Sequence, residues 1–365
     1  MDTGSGLPLK RVKEESYFFR MSKYQEQLIE HIEGDETFIE PSQYRNNILA
    51  RLRGEPLKDL SVSRTSFKWG IPVPEGFDQN HVMYVWFDAL SNYLSGVSAL
   101  DTDGELGAFW PATKHVIGKD IIWFHCVIWP CILMSAKVSL PANVYCHGFV
   151  NAADGRKMSK SYGNTVDPLD ILTRFQVDSI RYYLCAATTY GTDLNFSEPA
   201  LIASHNSELA DIVGNLVNRA LNLCKKYSNG RIPNTTHDSV FSCPFNAKEL
   251  IDESEQLLKS SNLSVLLFKA MEAARATNRF LTEAEPWKLK GADEARREPI
   301  VRTTLEAIYI FMHFLAPVTP IAAAKTFHKL NTPAVVVNKL RGDFYNLAPG
   351  VEIDVGDILF SKIII

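Results

Sequence analysis

The sequence lacks several features that would narrow its function at once. It has no large excess of either charge: 38 Lys and Arg against 42 Asp and Glu give a net charge of -4. That argues against a protein that coats nucleic acid through bulk charge, and leaves room for a local basic site. It has six cysteines but no C-x-x-C pair, so neither a zinc knuckle nor a thioredoxin-like motif is present. Cys126, Cys131 and Cys146 lie in apolar runs, which predicts buried free thiols in a reducing compartment. No long hydrophobic run is found. The longest, Ile121 to Ala136, is shorter than the roughly 20 residues of a membrane span, and His125 and Pro130 interrupt it. Met1 to Lys13 has neither an apolar core nor an Arg-rich amphipathic pattern, so no targeting segment is expected. Internal repeats and low-complexity tracts are absent. What remains, at 46% hydrophobic and 22% charged residues over 365 positions, reads as a soluble globular chain of two or three domains.

The patterning divides the chain. Residues 1–80 read as an α-rich connector. Ser22 is expected to cap a helix through Tyr24, Leu28, Ile29 and Ile32, and a second helix is expected from Pro41 to Gly54. Three β-type runs follow: Met83 to Phe87, His115 to Gly118, and Val144 to Val150. Helix-length segments, Ala89 to Leu94 and Asp120 to Ala136, lie between them. Alternation of this kind predicts parallel β-α-β units. Three strands make a thin sheet, which implies that part of the domain is missing.

From about Asp170 the chain reads as helical. Leu209, Ile212, Val213, Leu216, Val217, Ala220 and Leu223 form one apolar stripe at helical spacing. Lys248 to Leu258, Ser264 to Phe280 and Pro299 to Leu315 are further helices. The polar stretch Tyr227 to Phe245 is a long connection within this bundle.

The sharpest local feature is Lys157-Met158-Ser159-Lys160-Ser161, after the turn Asp154-Gly155 and before Gly163-Asn164. It places two lysines and two hydroxyls on a loop at the carboxyl end of a strand. Open α/β sheets bind ligands at that edge, and ammonium groups suit a polyphosphate whose charge shifts during reaction. A lone lysine pair would more often be a solvated loop.

The string resembles the KMSKS signature of the class I aminoacyl-tRNA synthetases. Other blocks resemble the methionyl-tRNA synthetases in particular, with a bacterial or organellar flavour. They are Tyr17 to Tyr24, Tyr84 to Ala89, His115 to Ile121, Gly163-Asn164, Gly214 to Arg219, and Glu285-Pro286-Trp287. The resemblance implies the second half of a Rossmann-like parallel sheet carrying the KMSKS loop, followed by an α-helical anticodon-binding bundle. It places the start of the second catalytic half in 1–80, the Rossmann-like half in 81–175, a stem-contact linker in 176–202 and the anticodon domain in 203–365.

It also implies a reaction. Methionine attacks the α-phosphate of ATP to give methionyl-adenylate, and the methionyl group then passes to tRNA(Met). Lys157, Ser159 and Lys160 are the catalytic residues so implied, with Lys160 the direct phosphate contact. Asp120, Gly118, His147, Gly148, Val150, Met158 and Lys160 form the ATP set. Asp120 suits ribose hydroxyls; its plainer reading is an N-cap for the helix after it, and one carboxylate can serve both roles. Gly148 allows close approach to the base. Trp86, Ala89, Tyr93, Ile121 and His125 resemble the methionine pocket, whose aromatic walls suit a soft thioether. Taken alone, Trp86 and Tyr93 would more often be core residues. Leu90 stands where some family members carry Pro.

Asn215 and Arg219, four apart on one helix face, resemble the anticodon readers. From Ile212 to His237 there are four basic residues and no acid, a local positive surface of the kind that docks RNA. Pro286 and Trp287 complete that set, the indole as a stacking platform; without the resemblance Trp287 would read as buried. ATP with Mg²⁺ enters as substrate, and no protein-bound metal or membrane contact is expected.

A HIGH-type signature is absent. His115-Val116-Ile117-Gly118 matches a later block of the family. The expectation is a C-terminal portion lacking the HIGH-containing first half, through truncation, an incomplete gene model, or a split enzyme whose other half is a partner chain. The competing expectation is a non-catalytic tRNA-binding protein descended from a synthetase. A leucine, isoleucine or valine enzyme is disfavoured, since those share the lysine loop but not the Trp86, Asn215/Arg219 and Trp287 blocks. The compartment reads as cytoplasmic or organellar. An exposed sheet edge and apolar face predict poor solubility or a need for a partner.

Overall fold

The computed structural model describes residues 13–97, 109–111, 114–235 and 243–364. The chain divides into two compact units between Gly148 and Phe149, inside the stretch 81–175.

The first unit opens with β1 (Phe18–Phe19), a 3₁₀ turn (Met21–Tyr24) and α1 (Gln25–Gly34). Then come β2 (Ile39–Glu40), α2 (Ser42–Gly54), β3 (Leu60–Ser61), β4 (Ser63–Arg64) and β5 (Val82–Met83). Two short helices follow, α3 (Val85–Ala89) and α4 (Asn92–Ser95), and then β6 (His115–Gly118). A continuous helical run starts at Lys119. It contains a π segment (Phe124–Ile128), ends as α5 (Trp129–Ala136), and leads to β7 (Val144–His147).

A three-stranded parallel sheet in the order β2-β7-β6 organises this unit. Ile39, Val144 and Cys146, which share one face of the sheet, are fully buried, whereas on the other face Tyr145 is buried and Val116 is 63% exposed. Leu28 and Ile32 of α1, Ile48, Leu49 and Leu52 of α2, and Cys126 to Leu133 pack into the same core. The cysteines are free, and burial pushes Cys131 and Cys146 up to about 12, so they are inert thiols.

Three sequence expectations fail in this unit. Met83 to Phe87 is not the third strand. Its amides turn back locally, with Phe87 N–H and Asp88 N–H both donating to the Tyr84 carbonyl, so β-type composition gives way to a helical turn. The third strand is Ile39–Glu40, too short to show any alternation. Ser22 is not a cap either: its hydroxyl donates to Asp59 Oδ1 at 2.7 Å, and its own backbone is already 3₁₀. Finally, Val144 to Val150 is not one strand, because Gly148 and Phe149 interrupt it.

A groove of about 790 Å³ runs beside β5 and α3, lined by Phe67, Trp69, Ile71 and Val85 among others. Trp69 is 90% exposed and Val85 65%. Apolar patches of this kind drive association. The chain is therefore expected to bind an apolar-surface dye and to self-associate at micromolar concentration. The double substitution Phe67→Ser, Trp69→Ser should reduce both effects. A monodisperse monomer without dye binding, seen by light scattering and fluorescence, would contradict this.

The second unit begins with β8 (Val150–Asn151), which carries the lysine loop. It continues through α6 (Pro168–Arg174), α7 (Val177–Ala186), β9 (Leu194–Asn195) and α8 (Glu198–Ser204). β8 and β9 pair in parallel. A π segment (His205–Gly214) leads into α9 (Asn215–Tyr227). The bundle is completed by α10 (Ala247–Lys259), α11 (Leu263–Ala284), α12 (Arg297–Leu315) and α13 (Pro320–Lys329). Residues 236–242 of the long connection lie outside the described residues.

The stripe read from the sequence is the buried face here: Leu209, Val213, Leu216, Val217 and Ala220 are all enclosed, with Ile212 and Leu223 packed at its margin. α12 is buried on every side from Ile300 to Leu315, which makes it the central helix of the bundle. α13 was not anticipated as a separate helix. Pro320 fits its first turn, and the Asp178 carboxylate of α7 accepts from the amides of Ile321 and Ala322 at 3.4 and 2.7 Å. That bond satisfies donors the helix itself leaves open. Among the described residues, no helix is long and apolar enough to cross a membrane.

Candidate functional site

In the first unit a neutral aromatic pocket assembles around His125. The His125 ring lies one helical turn after Ile121, and its Nδ1–H donates to the Ile121 carbonyl at 2.9 Å. A carbonyl can only accept, so Nε2 is left as the acceptor for the Tyr93 hydroxyl at 2.7 Å. Trp86 stacks on Phe124 with centroids 4.0 Å apart and meets the His125 ring edge-on at 6.3 Å. Burial lowers the His125 pKa and raises that of Tyr93. Burial, helped by the neighbouring His125, pushes His115 down to about 4. The wall is therefore uncharged at neutral pH and suits an apolar, polarizable group.

Four of the five residues expected here, Trp86, Tyr93, Ile121 and His125, share this cluster. Ala89 is exposed at the end of α3. Phe124 and His115 were missed: their roles depend on ring contacts that leave no local periodicity. The π segment that carries Phe124 and His125 is itself a feature frequent at functional sites.

Beside the pocket, β6 and β7 end together, with Gly118 in register with His147. A Cβ on Gly118 would lie 2.8 Å from Asp120 Oδ1 and 3.5 Å from His147 Cε1. The carboxylate and the imidazole thus converge over the bare glycine at the carboxyl edge of a parallel sheet. His147 Nδ1–H donates to the Gly148 carbonyl at 2.8 Å. Asp120 and His147 are exposed. No side-chain cap closes the start of the helical run at Lys119, so Asp120 is not its N-cap.

The second unit carries the lysine loop. Asn151 and Lys157 form an antiparallel bridge. Gly163 at φ 64° ends a 3₁₀ turn (Lys160–Tyr162), a conformation that favours glycine. The Asn164 side chain ties the loop across its base: its Oδ1 accepts from Ser159 N–H at 2.8 Å and its Nδ2 donates to the Lys157 carbonyl at 3.2 Å. The sequence placed Asn164 after the loop without revealing this role. Met158 packs half-buried against Ile171, Phe175, Tyr183, Phe196 and Leu201. Lys157 Nζ lies 4.8 Å from the Phe149 ring centroid, and Lys160 is exposed. Val150, on β8, is 46% exposed.

The bundle brings Arg219 and Trp287 together across a long stretch of sequence. The guanidinium lies 5.6 Å from the indole centroid, within cation–π range. Trp287 is 39% exposed, not buried. Glu285 at φ 39° turns the chain out of α11, and the buried Pro286 carbonyl accepts from Arg297 Nε at 3.1 Å, which pins the following residue. Asn215 is exposed one turn before Arg219 on α9. Among the described residues, no group of three His, Cys, Asp or Glu side chains is placed to hold a metal.

Residues 6–221 match the model of the class I tRNA synthetases of the methionine type, and residues 249–364 match the anticodon binding domain of methionyl tRNA ligase. The chain belongs to the methionyl-tRNA synthetase family. The methionine–tRNA ligase of Rickettsia conorii is 37% identical over 98% of this chain and 71% of its own length. That of Brucella suis is 39% identical over 90% of this chain and 64% of its own. Among solved structures, the Mycobacterium tuberculosis methionyl-tRNA synthetase in complex with methionyl-adenylate superposes with a TM-score of 0.88. It is 36% identical, over 98% of this chain and 70% of that one. The fold is thus that of a class I synthetase with a helical anticodon-binding domain, as the sequence predicted. The first family match runs to residue 221 and so includes Asn215 and Arg219, whereas Pro286 and Trp287 fall in the second.

Proposed function

We propose that this chain contributes the methionine pocket, the nucleotide edge, the phosphate-binding loop and the anticodon-reading surface of a methionine–tRNA ligase. The observation that carries the reading is the neutral chain Ile121 carbonyl–His125–Tyr93 hydroxyl beside the Trp86–Phe124 stack. Such a wall offers sulfur–aromatic contacts worth about 0.3–1.5 kcal/mol each. Trp86, Ala89, Tyr93, Ile121 and His125 hold methionine. Gly118, Asp120, His147, Gly148, Val150 and Met158 hold the adenosine of ATP, with Asp120 on the ribose. Lys157 and Lys160, on the loop that Ser159 and Asn164 brace, neutralise the phosphates as the methionine carboxylate displaces pyrophosphate. Mg²⁺ arrives with ATP as part of the substrate. The bacterial relatives support a cytoplasmic setting, with an organellar one as the alternative.

Methionine-dependent ATP–pyrophosphate exchange tests this, run with the chain as written and again with a polypeptide carrying a HIGH-type half. Exchange in either arm supports the reading, and exchange only in the second means that the site needs a HIGH-type half to be complete. RNA binding with no exchange in either arm would favour the non-catalytic tRNA-binding reading.

The RNA surface has its own test. Trp287→Ala is expected to weaken binding of an anticodon stem-loop bearing CAU by about 1–3 kcal/mol, roughly five- to 150-fold. Binding of a stem-loop with a scrambled anticodon should change little. Equal affinity of parent and variant for CAU in fluorescence anisotropy would remove Trp287 from the reading.

A further inference from the structure

Tyr93 is held from two sides. Its hydroxyl is fixed by His125 at 2.7 Å. Its ring is met edge-on by a second histidine, His115, with centroids 4.2 Å apart and planes at 61°. His115 opens β6, where its amide donates to the Asn143 carbonyl at 2.8 Å. Along β6 burial alternates: His115 and Ile117 are enclosed while Val116 is 63% exposed. The sheet therefore fixes the direction of the His115 side chain. Trp110 lies 6.3 Å from His115 and from Trp129, and Trp129 lies 6.3 Å from Tyr93. His115 also lies 6.0 Å from the His125 ring, so the rings of His115, His125 and Trp129 surround that of Tyr93.

The identity of residue 115 is not explained by hydrogen bonding. Its Nε2 is buried and has no hydrogen-bond partner among the described residues. Such an atom costs about 1–3 kcal/mol, so an apolar residue would be the cheaper filler. What the side chain does offer is a flat ring of limited size against Tyr93. A ring wedged there restricts Tyr93 to the orientation that reaches His125 Nε2.

We propose that His115 is a positioning residue of the thioether pocket: its ring holds Tyr93 in place, and through the Tyr93–His125 bond it sets the pocket's preference for a sulfur-bearing side chain. The proposal rests on the methionine-pocket reading above. His115 is itself buried, at 5% exposure, so its effect is carried by the rings it meets, Tyr93 first and His125 at 6.0 Å. A displacement of about 1 Å in such a group can cost on the order of 100-fold.

The test is calorimetric, on the full chain, with methionine, the sulfur-free analogue norleucine, and ATP. His115→Ala and His115→Asn are expected to weaken methionine binding about 10- to 100-fold and to bring the methionine-to-norleucine ratio toward one, with ATP affinity unchanged. His115→Phe, which keeps a ring and removes the orphan nitrogen, is expected to retain methionine affinity within about threefold. Parent-like methionine binding in the alanine and asparagine variants would overturn the proposal. So would a phenylalanine variant as weak as alanine, or a parallel fall in methionine and ATP affinity with the melting temperature, which would mark a purely structural residue. A parent chain that binds no methionine would overturn the pocket reading and this inference with it.

Discussion

Lys160→Ala is expected to lower methionine-dependent ATP–pyrophosphate exchange by about 10²–10³-fold, the usual cost of removing one preorganised charge-stabilising donor. Methionine affinity should not change. The loop itself should survive the substitution, because its shape does not depend on the ammonium group. Gly163 at φ 64° and the two Asn164 bonds, to Ser159 N–H and the Lys157 carbonyl, fix the backbone, and Met158 anchors it to the cluster around Phe175. Lys157→Ala is expected to cost less, since its ammonium is partly engaged over the Phe149 ring. Lys160→Arg should rescue only in part, because a planar fork does not replace a compact point charge. Exchange rates and methionine titrations of the three variants, in the arm of the assay that supports activity, check this. A Lys160→Ala rate within about threefold of the parent, or a greater loss at Lys157, would refute the assignment.

The sequence was most legible where chemistry and period are local. The lysine string announced itself in five residues. Leu209 to Leu223 showed a helical stripe because every member answers to one face of one helix. His115 to Gly118 showed strand character and is a strand. Legibility failed where a structure is defined by a distant partner. Ile39–Glu40 is a strand only because Val144 and Tyr145 lie beside it, and two residues carry no pattern. Tyr84 to Phe87 has strand composition but lies in a local turn, and packing overrode propensity. Ser22 has a capping chemistry that Asp59, 37 residues on, takes up instead. The site followed the same rule. Asn215 and Arg219 could be placed on one face by counting, and Trp287 joined Arg219 only through the left-handed turn at Glu285. Asn164, Phe124 and His115 act through contacts that no periodicity records.

A second large effect is expected in α12, where a buried ion pair secures the chain that wraps the bundle. Arg302 and Glu306, one turn apart and nearly inaccessible, pair at 2.7 Å. Glu306 is fully used. Its Oε1 also accepts from Leu347 N–H at 2.8 Å, and its Oε2 from the backbone and side-chain N–H groups of Asn346 at 2.8 and 3.2 Å. Arg302 donates to the carbonyls of Pro233 and Leu347 at 3.0 and 2.5 Å. One helix turn therefore holds both the start of the long connection and the segment near residue 347. Glu306→Ala leaves a guanidinium uncompensated in the core, so unfolding stability should fall by about 3–5 kcal/mol. The double substitution Arg302→Leu, Glu306→Leu should cost less than the single one, because no charge is stranded. It should still cost something, since the Asn346 and Leu347 amides lose their acceptor. Urea titrations followed by circular dichroism, compared at equal slope, separate these cases. A single-variant loss below about 1 kcal/mol, or a double variant weaker than the single, would mean that the pair is not what holds the wrap. The same helix begins with Arg297, which grips the Pro286 carbonyl beside Trp287. Well below its melting temperature, Glu306→Ala should therefore still bind CAU-bearing RNA with near-parent affinity, since that grip lies more than two turns away. Stability and RNA reading would then be separable properties of one helix.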